Sequence, residues 1–260
     1  MIDFHSHIIP QVDDGSKNLK QTDELINEAV NAGFDKIILT PHYIKTYYES
    51  DTEQNELWAE GIRKIIEKEN LNLEVYLGNE SYLSDDILEL LAEKKITTIN
   101  SSKYLLMEMP LNTKPINMFS VVYKLKEKEI VPIIAHPERY SFIQQDPFII
   151  YQLIKNGCLA QSNFGSFVGY YGKNAQTLAQ KLIENNMVHF LGSDVHRPNT
   201  VYMQIKEAKK KIISIIGEKK FNKITTENPD HVINNEDFEV ESPEQLKFNF
   251  IEKRKLGIKE

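Results

Sequence analysis

Short β-branched segments alternate with longer amphipathic segments along most of this chain, and that alternation restricts the folds open to it. Seven segments have the composition of buried strands bounded by turn residues, namely 2–5, 36–40, 73–78, 104–108, 131–135, 158–162 and 188–192. Seven others have helical periodicity, namely 19–32, 53–69, 85–94, 116–129, 147–155, 175–185 and 201–216. Such alternation predicts an α/β fold in which parallel strands are joined by crossover helices.

Metal-binding or proton-binding side chains stand at the carboxyl ends of six of the seven predicted strands. These side chains are His5 and His7, His42, Glu80, Glu108, His136, and Asp194 with His196. An open sheet would not bring six strand ends to one point, whereas in an α/β barrel all strand ends open onto one face. We therefore expect an irregular seven-stranded (β/α) barrel over residues 1–217. Residues 218–260 are expected to form a C-terminal extension packed on it, with Phe221, Phe248 and Phe250 as anchors.

The spacing of the histidines indicates a metal site. In His5-Ser6-His7, an extended backbone directs both imidazoles to one face, and Asp194-Val195-His196 repeats that geometry. Thr40-Pro41-His42 and Ala135-His136-Pro137 each place a histidine where proline ends a strand. Any one of these histidines has an ordinary interpretation as a loop or capping residue. Five of the seven histidines on one predicted face favour metal binding instead.

Carboxylates complete this set of candidate ligands. Glu80 follows a strand, and Glu108 lies in an otherwise apolar run, where a charge is costly unless it is paired or bound to a cation. Asp13-Asp14-Gly15 is either a capped turn or a source of one more ligand, with Asp14 the first choice and Asp13 still open. Imidazoles and carboxylates without thiolate suit manganese, iron or zinc. Nine candidates suit two or three ions, an arrangement that clamps phosphoryl groups and lowers the pKa of bound water.

Two arginines next to candidate ligands point to an anionic substrate. Arg139 ends His136-Pro137-Glu138-Arg139, and Arg197 directly follows His196. A guanidinium binds phosphate oxygens in bidentate fashion, although both arginines also have an ordinary interpretation as exposed loop charges. With 31 basic and 38 acidic residues, the formal charge of −7 disfavours a nucleic-acid partner. A phosphate-binding site formed by metals and both arginines is therefore predicted.

The sequence also excludes some mechanisms and locations. Phe164 stands six positions after Cys158, where a cysteine-dependent phosphatase requires arginine, so that mechanism is excluded. A single cysteine forms no internal disulfide, which agrees with a reducing compartment and predicts a cytoplasmic protein. No run of about 18 apolar residues is present, so we expect no membrane insertion. The first residues also lack the basic and apolar regions of a secretory signal.

These motifs together resemble the polymerase and histidinol phosphatase (PHP) superfamily. More closely, the chain is similar to the bacterial manganese-dependent tyrosine-protein phosphatases of capsule and exopolysaccharide clusters, from residue 2 to about residue 230. The resemblance implies three divalent ions, held by His5, His7, Glu80 and Asp194, by Glu80, Glu108 and His136, and by Asp14, His42 and His196. It further implies that manganese is the ion, with iron or zinc as alternatives, and that Arg139 and Arg197 hold the phosphate.

The implied substrate is phosphotyrosine in the C-terminal tail of a bacterial tyrosine kinase that regulates polysaccharide export. Three alternatives stay open at this point. A small-molecule phosphatase, such as one acting on histidinol phosphate, would use the same metals. A metal-binding regulatory protein would have no need of a phosphate clamp, and a metal-dependent nuclease is disfavoured by the negative charge. Tyr43, Tyr47 and Tyr48 after His42 hint at an aromatic-lined site suited to a protein tail.

Overall fold

The computed structural model describes residues 1–258, in which parallel strands alternate with helices. The strands of this part are β1 (Ile2–Ser6), β2 (Lys36–Leu39), β3 (His42–Tyr43), β4 (Glu74–Leu77), β5 (Glu80–Tyr82), β6 (Tyr104–Glu108), β7 (Val131–Ala135), β8 (Leu159–Asn163) and β9 (Phe190–Gly192). The helices are α1 (Leu19–Ala32), α2 (Thr52–Lys68), α3 (Ile87–Ala92), α4 (Met118–Glu127), α5 (Ser141–Gln145), α6 (Phe148–Lys155), α7 (Phe164–Val168), α8 (Lys173–Glu184), α9 (Ile205–Asn222), α10 (Asn228–Ile233) and α11 (Phe250–Leu256). Each predicted strand and each predicted helix has a counterpart in these elements.

The strands form two parallel sheets rather than one closed ladder. One sheet has the order β1-β2-β4 and the other the order β3-β5-β6-β7-β8-β9. Between β1 and the chain that follows β9 there is an isolated bridge from Ser6 to Val195, supported by a hydrogen bond from His7 N to Val195 O at 3.0 Å. The predicted α/β class is thus confirmed as a curled parallel sheet. The predicted closed barrel of seven strands is not confirmed, because the hydrogen-bonded ladders of residues 1–258 divide between two sheets.

Two neighbouring strands bend together beside the site. β2 pairs with β4 as far as Leu39 and Leu77, and β3 pairs with β5 from His42 and Glu80 onward. In each segment two residues separate the two paired strands, so the register is the same before and after the interruption. Pro41, which has no backbone N–H, lies at the interruption of the first chain. Two short strands that the sequence did not predict, β3 and β5, therefore follow the predicted strands 36–40 and 73–78, and they carry His42 and Glu80 at the site.

Helix α1 shows how local sequence sets the element boundaries. The Asn18 side chain accepts a hydrogen bond from Gln21 N at 3.0 Å and caps the first turn. Gly33, at a φ of 92°, ends the helix in the left-handed conformation that glycine adopts without strain. Between them, Leu25 and Ile26 are buried on the face toward the core. These two cap residues explain why the prediction from sequence, 19–32, has the observed bounds.

A small apolar cluster shares one face of β6 with the site. Its members include Phe4 and Phe190, whose rings stack at a centroid distance of 4.1 Å, and Leu106 of β6. Side chains two positions apart share a face of a strand, so Leu106 and Glu108 point to the same side. Ile233 of α10 also belongs to this cluster. On β6, the apolar cluster therefore lies directly before the polar residue at the strand end.

The C-terminal segment packs against the rest of the chain in part. Among the three phenylalanines expected to anchor it, Phe221 is buried, Phe248 is partly buried against the main core, and Phe250 is 75% exposed. The expected boundary after residue 217 lies inside α9, where Gly217 has a φ of 77°. Among the described residues, none of the helices combines the length and the hydropathy that a membrane span requires.

His189, just before β9, is a buried histidine outside the site. Its Nδ1 accepts a hydrogen bond from Ala160 N at 3.0 Å, so the proton of the neutral ring is on Nε2. Burial lowers the pKa of His189 to about 4. The neutral imidazole is therefore the form that the folded protein favours.

This burial predicts a pH-dependent contribution to stability. In the unfolded chain the histidine has a pKa of about 6.5 and binds a proton in a pH range where the buried ring stays neutral. The free energy of unfolding therefore falls as the pH decreases from about 6.5 toward 4. The contribution lost at pH 4 is about 3 kcal/mol. Urea unfolding of wild type and His189→Gln, both in chelator, measures it as the difference between two pH profiles. Parallel profiles would contradict the assignment.

Candidate metal centre

The side chains predicted to bind metal converge at the carboxyl ends of the strands, around Glu80. One carboxylate oxygen of Glu80, Oε2, lies 3.1 Å from His5 Nε2, 3.3 Å from His7 Nε2 and 3.0 Å from His42 Nδ1. The other, Oε1, lies 2.8 Å from His136 Nε2. Glu80 is fully buried at the start of β5. Four imidazoles, from the end of β1, the start of β3 and the residue after β7, thus meet a single carboxylate.

The remaining candidates extend this cluster, and Asp14 is its exposed member. Asp14 Oδ1 lies 3.3 Å from His196 Nε2 and 3.6 Å from His42 Nε2. Glu108 Oε1 lies 3.1 Å from His42 Nδ1. Asp194 Oδ1 lies 3.5 Å from His196 Nδ1. All nine predicted ligands therefore belong to one continuous cluster in the structure.

The donor atoms fit divalent cations. Seven of the nine residues fall into three sets whose ligand atoms lie within 4.8 Å of one another: His7, Asp14, His42 and His196; His5, His7 and Glu80; and His42, Glu80 and Glu108. His136 and Asp194 lie at the edge of these sets. His42 Nδ1, Glu80 Oε2 and His136 Nδ1 are buried polar atoms without a hydrogen-bond partner. Buried oxygen and nitrogen atoms that converge in this way are suited to binding cations.

The charges within the cluster depend strongly on one another. Burial lowers the pKa of His5, but Glu80 and Asp194 outweigh it and raise that pKa to about 9. Burial likewise opposes protonation of His42, while Glu80 and Glu108 raise its pKa to about 10. Burial raises the pKa of Glu80, but His5 and His42 hold it well below its ordinary value. Glu80 therefore stays ionised and needs positive charge beside it.

The structure distinguishes the two aspartates that the sequence left open. Asp13 Oδ2 accepts hydrogen bonds from His7 Nδ1 at 2.8 Å and from His42 N at 2.9 Å, and Asp13 Oδ1 accepts one from Gly15 N at 2.8 Å. A Cβ on Gly15 would lie 2.2 Å from His7 O, so only glycine fits there. The geometry favours Asp14 as the ligand. Asp13 instead orients the His7 ring with Nε2 toward the cluster.

Strand β8 supplies orienting residues that the sequence analysis missed. Asp194 Oδ2 accepts a hydrogen bond from Asn163 Nδ2 at 2.7 Å, which fixes the orientation of that amide. Asn163 Oδ1 then accepts from Gln161 Nε2 at 2.8 Å, and Gln161 Oε1 accepts from His5 Nδ1 at 2.9 Å. His5 is thereby left with Nε2 directed at the cluster. The sequence feature that could have revealed Gln161 and Asn163 is the presence of polar residues at the end of a buried strand.

Two ligand candidates have an unusual backbone. His136 has a φ of 31° and Asp194 a φ of 55°, in the left-handed region that residues other than glycine adopt at a cost of about 1–3 kcal/mol. Gly192, two residues before Asp194, has a different constraint, because a Cβ there would lie 2.5 Å from His5 Cβ. Close approach of β9 to β1 and two strained residues together aim the side chains inward.

A cleft of about 330 Å³ adjoins the cluster and contains both predicted substrate-binding arginines. Arg139 Nη1 lies 2.5 Å from Asp194 Oδ2, and the Tyr171 ring covers its guanidinium at 4.4 Å. Arg197 Nη1 donates to the carbonyl oxygens of Asp14, Gly15 and His196. Arg139 is therefore positioned at the metal cluster, whereas Arg197 in this conformation braces the turn that carries Asp14.

The fold and the site together define an α/β protein with a cluster of histidines and carboxylates at its strand ends that could hold metal. The family model for capsular polysaccharide synthesis, CpsB/CapC, matches residues 1–234. The chain belongs to this family.

Several relatives have been named as phosphatases. The chain is 36% identical over 196 residues to a putative tyrosine-protein phosphatase CapC of Staphylococcus aureus, covering 75% of this chain and 77% of that one. It is 31% identical to tyrosine-protein phosphatase YwqE of Bacillus subtilis, covering 95% and 97%. One solved structure superposes on this chain with a TM-score of 0.90 at 31% identity, covering 95% of this chain and 100% of that one. It is described among crystal structures of YwqE from B. subtilis and CpsB from Streptococcus pneumoniae, unique metal-dependent tyrosine phosphatases.

More distant structures share only the fold. A histidinol phosphate phosphatase from Lactococcus lactis, solved with zinc, histidinol and phosphate, has a TM-score of 0.57 at 12% identity, covering 82% of this chain and 93% of that one. At that identity the resemblance shows a shared fold and says nothing about the substrate of this chain.

The role of Asp13 can be tested by metal affinity. Asp13→Ala removes the acceptor that orients His7, and we expect metal affinity to fall about 10- to 100-fold, the range for partners of ligating histidines. Metal titration of the purified protein, with the bound metal counted per chain, measures the loss. Asp85→Ala, at an exposed position, is the matched control. Unchanged affinity in Asp13→Ala would contradict the orienting role.

Proposed function

We propose that this protein is a metal-dependent protein-tyrosine phosphatase that hydrolyses phosphotyrosine on a bacterial tyrosine kinase controlling capsule or exopolysaccharide synthesis. The observation that carries the proposal is the opening of the metal cluster directly into a cleft that holds Arg139. The names of the CapC, YwqE and CpsB relatives support the phosphotyrosine substrate. The aligned regions span most of this chain and most of each relative.

The proposed cofactor is manganese, with iron and zinc as alternatives. Three ions are proposed, held by His5, His7, Glu80 and Asp194, by Glu80, Glu108 and His136, and by Asp14, His42 and His196. When bound, such ions supply Lewis acidity toward phosphoryl oxygens and lower the pKa of bound water. The donor set of imidazoles and carboxylates without thiolate supports this choice of metals.

The residues of the chain have separate proposed roles around the phosphate. Arg139 and Arg197 bind phosphate oxygens and offset their charge. Among residues 1–258, the guanidinium of Arg139 donates a hydrogen bond from Nη1 to Asp194, and its other N–H groups can bind an oxyanion. Arg197 would bind substrate while Nη1 keeps its contacts to the turn of Asp14. No covalent phosphoenzyme is needed, and Cys158 is unsuited to form one because burial raises its pKa to about 12.

Aromatic side chains at the cleft support an aryl phosphate as substrate. Tyr170 lines the cleft, is 45% exposed and packs edge-on against Tyr171 at a centroid distance of 5.0 Å. Among the tyrosines suspected from the sequence, Tyr48 stacks near His42 at 6.0 Å, Tyr43 is buried and Tyr47 is 80% exposed. A cytoplasmic location and a kinase tail as partner stay predictions, based on the single cysteine and on the resemblance.

The substrate is tested by measuring phosphate release from a phosphotyrosine peptide and from histidinol phosphate in parallel, with manganese and with chelator. We expect manganese-dependent release from the peptide. Release only from histidinol phosphate would assign a small-molecule substrate instead. Release from neither would favour a metal-binding protein without turnover.

The phosphate-binding role is tested by substitution at two positions. Arg139→Ala is expected to lose about 100-fold or more in kcat/KM, the scale for removing one charge-stabilising donor, with metal content unchanged. His136→Ala is expected to lose both metal and rate. Cys158→Ser, at a buried position away from the cluster, is the control and should keep full activity. An active Arg139→Ala enzyme would contradict the role of Arg139.

A further inference from the structure

Glu138 is a buried carboxylate beside the metal cluster that the mechanism above does not use. It lies between Pro137 and Arg139 in a single helical turn, and its side chain is completely buried. We propose that Glu138 is a positioning residue that anchors this turn to strand β8 and thereby directs Arg139 at the substrate. The inference rests on the proposed phosphate-binding role of Arg139.

The anchoring contacts of Glu138 all come from the end of β8 and the start of α7. Its Oε1 accepts hydrogen bonds from Asn163 N at 2.9 Å and Ser166 Oγ at 2.7 Å, and its Oε2 accepts one from Ser162 Oγ at 2.9 Å. Three donors satisfy a carboxylate that burial would otherwise penalise. The contacts join two segments that are adjacent only in the folded chain.

The other side of the same turn is fixed as well. Tyr140 is fully buried, and its hydroxyl accepts a hydrogen bond from Met109 N at 2.9 Å. Met109 directly follows the ligand candidate Glu108 in the chain. Arg139 N donates to His136 O at 2.9 Å and closes the turn. With Glu138 held on one side and Tyr140 on the other, Arg139 is the member of the turn that projects into the cleft.

The anchor connects the arginine to a ligand candidate through Asn163. The backbone N–H of Asn163 is bound by Glu138, while its side-chain amide donates to Asp194 Oδ2 at 2.7 Å. Arg139 Nη1 contacts the same Asp194 oxygen. A shift of the turn would therefore move the guanidinium away from Asp194 and away from the phosphate position together.

The role requires hydrogen-bond acceptors rather than negative charge. A glutamine at 138 can place its carbonyl oxygen where Asn163 N and Ser166 Oγ donate, and its amide can donate to the Ser162 hydroxyl. Glu138→Gln should therefore keep kcat/KM within about threefold of wild type. Glu138→Asp keeps the charge but withdraws the acceptors by one methylene, and Glu138→Ala removes them.

A double-mutant cycle with Arg139→Ala tests whether Glu138 acts through Arg139. In the wild-type background we expect Glu138→Asp to lower kcat/KM on a phosphotyrosine peptide about tenfold and Glu138→Ala to lower it more. In the Arg139→Ala background each should cost less than about threefold. Ser166→Ala, which removes one of the three donors, should lower kcat/KM in the same direction but by less than Glu138→Ala, and Asp85→Ala, at an exposed position, is the control.

Binding of inorganic phosphate to the metal-loaded protein, measured by calorimetry, gives a second cycle that needs no turnover. Phosphate affinity should fall in Glu138→Asp, and it should not fall further when Arg139 is already alanine. This cycle separates the inference from the proposed function, because it stays interpretable if phosphotyrosine is the wrong substrate. Should Glu138→Ala fail to fold, the Asp and Gln variants carry the test alone.

Three results would overturn the inference. Additive losses in both cycles would show that Glu138 acts on activity independently of Arg139. Loss of metal from Glu138→Asp, with the bound metal counted per chain, would place its effect on the ligands instead. A Glu138→Gln enzyme as impaired as Glu138→Ala would show that the charge, rather than the hydrogen bonds, is what matters.

Discussion

Glu80 has no solvent exposure, and its carboxylate lies between four imidazole rings. An ionised group in such a place costs several kcal/mol unless positive charge and hydrogen bonds compensate it. Protons on the imidazoles supply that charge when metal is absent, which is why the pKa of His5, opposed by burial, is still raised by Glu80 and Asp194 to about 9. Metal ions would use the same nitrogens, so protons and metals compete for this site. The curl of the sheet, the paired bend and the strained residues all serve to keep these groups together.

Local sequence was sufficient to predict seven strands and seven helices that the structure contains, but not the shorter elements or the way in which the ladders pair. The run 36–40 is apolar and β-branched, and helix α1 carries its own caps, so both are visible from neighbouring residues. The bend between β2 and β3 is different, because it exists only in register with the same bend between β4 and β5. Pairing between distant strands is not encoded in either segment alone. For that reason seven predicted strands became nine and the closed barrel was not confirmed.

The candidate ligands were predictable because their residue types are unusual at buried strand ends. His5-Ser6-His7 and Glu108 draw attention within apolar surroundings, and the structure brings them together. Asp13 and Asp14 were not distinguishable, since both fit the same turn and only the direction of Asp13 toward His7 separates them. Gln161 escaped notice because an amide is not a typical metal ligand. Its function depends on a hydrogen bond to a histidine 156 positions away in the chain.

Asp194 shows how the metal centre and the substrate cleft are coupled. Its Oδ1 faces the imidazoles of His5 and His7 at 3.8 and 3.5 Å, while its Oδ2 accepts from Arg139 and from Asn163. One oxygen of Asp194 thus faces the proposed metal site, and the other contacts Arg139, the residue proposed to bind phosphate. Because an arginine carries five N–H donors, Arg139 can keep this contact and still offer other donors to an incoming oxyanion. The carboxylate that would complete the proposed metal site also holds the Arg139 guanidinium beside it, so the proposed phosphate position is next to the proposed metals.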